Sequence, residues 1–316
     1  MKRTGRHAGK PLARQDQDIT RYLLKVQDRF VKSKGKEINI DTTFLQALSN
    51  IILVAIENKR LARKELEQQA FQRDMEIAKN VQNYLFPKEL PNNDKIHIEA
   101  FYQPCQTVGG DYYDYFRLEQ EDQFVVCIAD VSGKGIPAAI LMSNFQAVLR
   151  TISRTAENPV DVVNELNYQL CNNANRENFI TFFLAVYDYK AKDLRYINCG
   201  HNPPLLMNGK PEIERLTEGT TVLGVFEPLP FLKMGRIENL EEFSLFLFTD
   251  GLTETFNGAD EEFGPERLEE FLVKNYDTPL QELHTKLLAD LHEFNVERNF
   301  TDDLTFLSCR VNNASV

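Results

Sequence analysis

Four apolar, strand-length runs in this chain end in, or begin from, aspartate. Val108-Gly109-Gly110-Asp111 precedes one run. Phe124-Val125-Val126-Cys127-Ile128-Ala129-Asp130 ends another and leads into Val131-Ser132-Gly133-Lys134-Gly135. Phe246-Leu247-Phe248-Thr249-Asp250-Gly251 ends a third, and Thr301-Asp302-Asp303-Leu304-Thr305 opens the last. An apolar strand that stops at a carboxylate sets it on the rim of a sheet, with a rigid core behind it. Hard divalent cations need oxygen ligands held in this way. Taken singly, each aspartate has a plainer reading, because Asp makes Asx-turns and Gly supplies positive φ. Four at strand ends favour a carboxylate cluster, although they name no reaction.

The runs belong to a longer pattern of short apolar segments divided by turn signals. Strands are expected at Ile96–Tyr102, Tyr112–Leu118, Phe124–Ala129, Thr181–Tyr187, Leu194–Asn198, Pro204–Met207, Phe243–Phe248 and Leu304–Val311. Helices are expected at Ile136–Ile152, Pro159–Cys171, Glu266–Asn275 and Leu280–Asn295. Pro137 falls in the first turn of its helix, where a missing N–H is harmless. Hairpin-like spacing dominates and strand–helix alternation is absent. That combination predicts antiparallel sheets with helices on their outer faces.

The N-terminal quarter has a different texture. Residues 1–40 form a basic leader containing a short amphipathic segment, Ile19–Val31. From Asp41 to Phe86 there is no Gly or Pro, and Ala, Leu, Glu, Lys, Gln and Arg abound, which predicts one long helix. Asp41 is its expected N-cap, and Pro87 with Pro91 stops it. Apolar residues recur at Leu48, Ile52 and Ala55, then at Phe71, Ala78 and Leu85. Two readings stand: a dimeric coiled coil, or a helix packed on its own domain.

Charge follows the same division. Residues 1–80 carry 17 Lys+Arg against 10 Asp+Glu, whereas residues 81–316 carry 19 against 37. A domain so acidic is a poor nucleic-acid partner, because duplex binding relies on neutralising phosphates. The leader is expected to be a solvated charge run, with an anionic surface as the competing reading. The longest apolar stretch, Phe44–Ile56, is interrupted by Gln46, Ser49 and Asn50, so no membrane span is expected. No apolar segment of signal-peptide type follows the basic start. The five cysteines are scattered and never spaced C-x-x-C, which argues against a zinc site or a disulfide framework and places the chain in the cytoplasm.

The wording of the aspartate segments goes further than their pattern. G-G-D-Y-Y-D at 109–114, A-D-V-S-G-K-G-I-P-A-A at 129–139, N-C-G-H-N-P-P at 198–204, F-T-D-G-L-T-E at 248–254 and T-D-D-L-T at 301–305 occur in that order. Together they closely resemble the bacterial PPM-type phosphatase domain of the SpoIIE and RsbU branch. The segment from Ala78-Lys79-Asn80-Val81-Gln82 to Phe86-Pro87 is similar to that family's approach helix. Asp41–Leu61 resembles the closing helix of a GAF sensor domain, of which too little precedes it for a complete pocket.

The resemblance implies an α+β fold, an α-β-β-α sandwich of two packed antiparallel sheets flanked by helices. A long N-terminal helix precedes it, giving a leader (1–40), a helical, possibly dimerising linker (41–86) and a phosphatase domain (87–316). It implies a two-ion site for Mn²⁺ or Mg²⁺. In that site Asp130 bridges both ions, the Val131 carbonyl helps hold the first, and Asp250 and Asp302 complete the second. Asp111 stands near the first, and Asp302 is preferred over the adjoining Asp303. The implied reaction is hydrolysis of phosphoserine or phosphothreonine by a water activated between the ions, with no protein nucleophile. The implied substrate is a phosphoprotein such as a STAS-type anti-sigma-factor antagonist, and the implied assembly a homodimer through the helix. Ser132 and Lys134 are candidates for phosphate contact beside the plainer reading of a solvated lysine, while Gly133 and Gly135 let the chain turn from strand to helix. His201 is a candidate general acid beside an architectural role. A catalytically silent scaffold is the competing function, and every carboxylate expected of an active site is present.

Overall fold

The computed structural model describes residues 42–118, 122–156, 158–173, 178–295 and 300–312. The leader, the Ile19–Val31 segment and the expected cap Asp41 lie outside the described residues. The chain divides into two units, Met1–Ala70 and Phe71–Val316.

In the first unit, the described residues belong to helix α1 (Thr42–Asn83), whose later turns belong to the second. Among the described residues, no helix is long and apolar enough to cross a membrane. The expected helix ran to Phe86, but α1 ends at Asn83. Its last turn tightens, with Tyr84 N–H donating to Val81 O and Leu85 N–H to Gln82 O. The chain then leaves the helix and inserts Phe86 between Tyr102 and Tyr113, at ring-centroid distances of 4.7 and 5.0 Å. Leu85 packs with it against the core. It therefore lies beyond the helix and is not a seam position.

The second unit carries two sheets. One has the order β1 (Ile96–Gln103), β11 (Leu304–Val311), β10 (Phe243–Phe248), β6 (Leu205–Met207), β7 (Ile213–Arg215). The other runs β2 (Tyr112–Leu118), β3 (Gln123–Val131), β4 (Ile180–Asp188), β5 (Asp193–Cys199), β8 (Gly219–Thr220), with β9 (Gly235–Ile237) also on β5. All pairings are antiparallel except β5 with β8. Three apolar layers fill the unit. Alternation along β3 sends Phe124, Val126 and Ile128 to the core between the sheets, with Phe183, Leu245, Leu247 and Leu307. Val125, Cys127 and Ala129 face the other way, onto helices α2 (Ile136–Ile152) and α3 (Pro159–Asn173). Covered on both faces, β3 reads as an unbroken apolar run, not as an alternating one.

On the outer face of the first sheet, Phe246, Phe248, Leu304 and Phe306 meet α5 (Gly264–Lys274) and α6 (Leu280–Phe294). The result is the helix–sheet–sheet–helix sandwich expected above. The remaining helix, α4 (Asp250–Thr253), is a single turn after β10. It and the strands β7 to β9 had no counterpart in the sequence reading. Strands of two or three residues are too short to show a period, and unlike the all-apolar β6 these carry no apolar run.

Candidate active site

Strand register explains why the aspartates meet. Tyr112 pairs with Ala129, so Asp111, just before β2, lies beside Asp130, near the end of β3. In the facing sheet Phe248 pairs with Phe306, which sets Asp250, just past β10, beside Asp302 and Asp303, just before β11. The two pairs share one edge of the sandwich, close enough for their charges to act on one another. Burial, followed by the charges of Asp250, Asp302 and Asp303, pushes Asp130 up to about 7. Burial and Asp130 hold Asp111 well above the ordinary carboxylate range, and burial and Asp302 raise Asp250. The Val131 carbonyl faces the same loop, 2.8 Å from where a side chain on Gly110 would begin.

The neighbouring aspartates Asp302 and Asp303 have different surroundings. Asp303 is buried, and its carboxylate accepts the N–H groups of Cys105 at 2.8 Å and Gly110 at 2.7 Å. It clamps the loop that carries Asp111. A side chain on Gly109 would meet the same carboxylate at 2.1 Å, so that position must be glycine. Asp302 is more exposed, takes the Asp303 N–H on Oδ1 and faces Lys134 with Oδ2. Donor atoms of Cys105, Asp302 and Asp303 lie within 4.8 Å of one another. Yet Asp303 is already engaged, and burial and Asp303 push the Cys105 thiol up to about 11, leaving it a protonated, poor ligand at neutral pH. The oxygen donors at this edge are the carboxylates of Asp111, Asp130, Asp250, Asp302 and Asp303 and the Val131 carbonyl, with Asp303 taking two N–H bonds from the Asp111 loop. Carboxylates that repel one another across a buried edge fit a hard divalent cation.

Two threonines were missed. Thr249 and Thr305 sit inside the quoted motifs, and both hydroxyls donate to Asp111 Oδ2, that of Thr249 at 2.8 Å. Gln82, in the last turn of α1, is buried; its side-chain amide donates to Gly109 O at 2.7 Å and accepts from Gly109 N–H at 3.3 Å. These partners are remote in sequence, and only the fold reveals them.

His201 is architectural. Its Nε2–H donates to Phe248 O at 3.1 Å, which fixes the tautomer and lets Nδ1 accept from Thr181 Oγ1 at 2.8 Å. The ring thus ties β4 to the end of β10, and no proton is free for a leaving group. Burial pulls it down to about 4. Unfolded, the same imidazole titrates near 6.5. Its stability contribution is therefore complete above pH 6.5 and is lost as pH falls towards 4, to a limit of about 3 kcal/mol. In urea denaturation, wild type should lose more stability over that window than His201→Gln loses, and equal losses would place the proton elsewhere.

Two sheets in this order, with carboxylates gathered on one edge, define a PPM-type phosphatase domain. The family model for Stage II sporulation protein E (SpoIIE) matches residues 120–312. Phosphoserine phosphatase RsbU of Bacillus subtilis (strain 168) is 30% identical over 239 residues, covering 74% of this chain and 70% of RsbU. Among solved structures, the SiaA-PP2C domain of Pseudomonas aeruginosa superposes with a TM-score of 0.69 at 21% identity, covering 78% of this chain and 98% of that one. RsbX in complex with magnesium does so at 0.53 and 16% identity, covering 71% and 99%. This chain belongs to the SpoIIE family of PPM-type serine/threonine phosphatases.

Proposed function

We propose that the chain hydrolyses phosphoserine or phosphothreonine on a bacterial regulatory protein, with two Mn²⁺ or Mg²⁺ ions held on the carboxylate edge. The observation that carries this reading is the convergence of Asp111, Asp130, Asp250 and Asp302 from both sheets onto one edge. In it Asp130 would serve both ions, the Val131 carbonyl the first, and Asp250 and Asp302 the second, with Asp111 at the first directly or through water. Asp303 serves instead as the clamp on the Asp111 loop. When bound, such ions supply a hydroxide-like water near neutral pH and neutralise phosphoryl oxygens. The chain's own part is to fix these carboxylates: Thr249 and Thr305 orient Asp111, and strand ends backed by a packed core hold the rest.

Similarity to a phosphoserine phosphatase of the RsbU kind supports a phosphoprotein substrate, for which we propose a STAS-type anti-sigma-factor antagonist in the cytoplasm. The test is release of phosphate from a phosphoserine peptide with Mn²⁺, Mg²⁺ or EDTA. Turnover with either metal and none with EDTA is expected. Turnover that persists in EDTA would sink the two-ion reading.

A homodimer through α1 belongs to the same proposal. Six consecutive apolar residues, Ile51 to Ile56, are exposed on α1, with Leu48 just before them. An exposed apolar run of that length marks an interaction surface. Leu48→Glu combined with Ile52→Glu should halve the mass seen by light scattering. An unchanged mass would remove α1 from the interface.

A further inference from the structure

The site contains a cation of its own. Lys134 Nζ lies 2.8 Å from Asp302 Oδ2 and donates to Thr301 O at 2.6 Å. It bridges the loop after β3 to the segment before β11, and its charge also acts on Cys105 and Asp250. Both partners are partly open to water, with side-chain exposures of 42% for Lys134 and 38% for Asp302. A contact of this kind is weak and exchangeable.

The loop is fixed at Ser132 and at Gly135, whose carbonyl accepts the Ala139 N–H, and is open at Gly133 between them. Ser132 N–H donates to Phe179 O at 3.0 Å, and Ser132 Oγ accepts Phe179 N–H at 2.9 Å. That engagement makes Ser132 an anchor for the loop. Gly133 and Gly135, on either side of Lys134, have φ of 92° and 70°, and no heavy atom lies within 4 Å of where a Gly133 side chain would begin. The ammonium can therefore leave Asp302 without moving β3 or Asp130.

We propose that Lys134 exchanges between two anions. It neutralises Asp302 while no divalent ion is there. An ion arriving at Asp302 repels the ammonium from it, and Lys134 then meets the phosphoryl oxygens of the substrate. This rests on the two-ion phosphatase reading above, and it assigns to Lys134 the phosphate-binding role for which the motifs offer no arginine. The competition with metal follows from charge. Two cations cannot share one half-exposed carboxylate oxygen without cost, so Lys134 lowers the metal affinity of its own site.

The test uses the full chain, with Lys134→Met and Lys134→Arg beside wild type. In calorimetric titration with Mn²⁺ alone, Lys134→Met should bind about fivefold more tightly than wild type. With a phosphoserine peptide at saturating Mn²⁺, its KM should rise about tenfold with kcat nearly unchanged. Lys134→Arg, which keeps the charge, should stay close to wild type in both. Weaker or unchanged Mn²⁺ binding in Lys134→Met would make Lys134 a brace on Asp302 and overturn the exchange. A fall in kcat at constant KM would overturn the phosphate contact. The titration needs no turnover, so wild type that binds Mn²⁺ but hydrolyses nothing defeats the phosphatase reading and leaves the competition measurable.

Discussion

Hydrolysis of a phosphoserine peptide falls at least about 10³-fold in Asp130→Asn, while the EDTA-treated variant melts at a higher temperature than EDTA-treated wild type. Both effects have one cause. Asp130 is the carboxylate on which the others converge, with Asp250, Asp302 and Asp303 all acting on it across a buried edge. Without a cation, that crowding of like charge opposes folding. An amide of the same shape relieves it, so the metal-free fold gains. Catalysis loses for the same reason, because the group proposed to hold both ions no longer attracts either. A 10³-fold loss is about 4 kcal/mol in the barrier, within reach of removing one group that positions transition-state charge. The opposite signs separate this from simple misfolding, which would lower activity and melting temperature together. Near-wild-type turnover in Asp130→Asn would move the metal site elsewhere on the chain.

How far the sequence could be read depended on the distance between partners. Strands β2, β10 and β11 and helix α2 have the expected bounds to the residue, because each is a local run bounded by its own turn residues. The four aspartates were legible for the same reason, since an apolar run stopped by Asp is a local signal. The groups that hold them were not. Thr249 and Thr305 donate to Asp111 across 138 and 194 residues, and Asp303 clamps Gly110 across 193. Nothing near those residues announces such a partner. Tyr84-Leu85-Phe86 continues the apolar spacing of α1, yet burial of Phe86 among tyrosines ends the helix three residues early. His201 shows the converse. Its turn left a general acid and an architectural role both open, and the two bonds on its ring make it a tie between strands.

The largest effect on stability is expected at Arg150, outside the proposed metal ligands. Asp114, on β2, is fully buried. Arg150, on α2, meets it with two parallel bonds, Nε to Oδ2 and Nη2 to Oδ1, each 2.7 Å. Tyr112 OH and the Tyr115 N–H complete the carboxylate's shell. The guanidinium also lies over the Phe116 ring, at 5.6 Å. A fork of this kind fastens the helix after the Asp130 loop to the strand after Asp111. Arg150→Met keeps the aliphatic stem and removes the charge, leaving a buried carboxylate with only neutral donors. Arg150 is 38% exposed, so stranding the buried Asp114 costs less than breaking a fully buried pair, about 2–3 kcal/mol. In a domain of this size that lowers the melting temperature by about 7 °C. Adding Asp114→Asn removes the stranded charge, so the double variant should recover part of the loss even though it lacks one more native group. That recovery distinguishes an uncompensated charge from lost packing, because a packing defect at Arg150 would be indifferent to Asp114. If the double variant instead melts lower than Arg150→Met by the full cost of Asp114→Asn alone, the two side chains act independently and the fork contributes nothing as a pair.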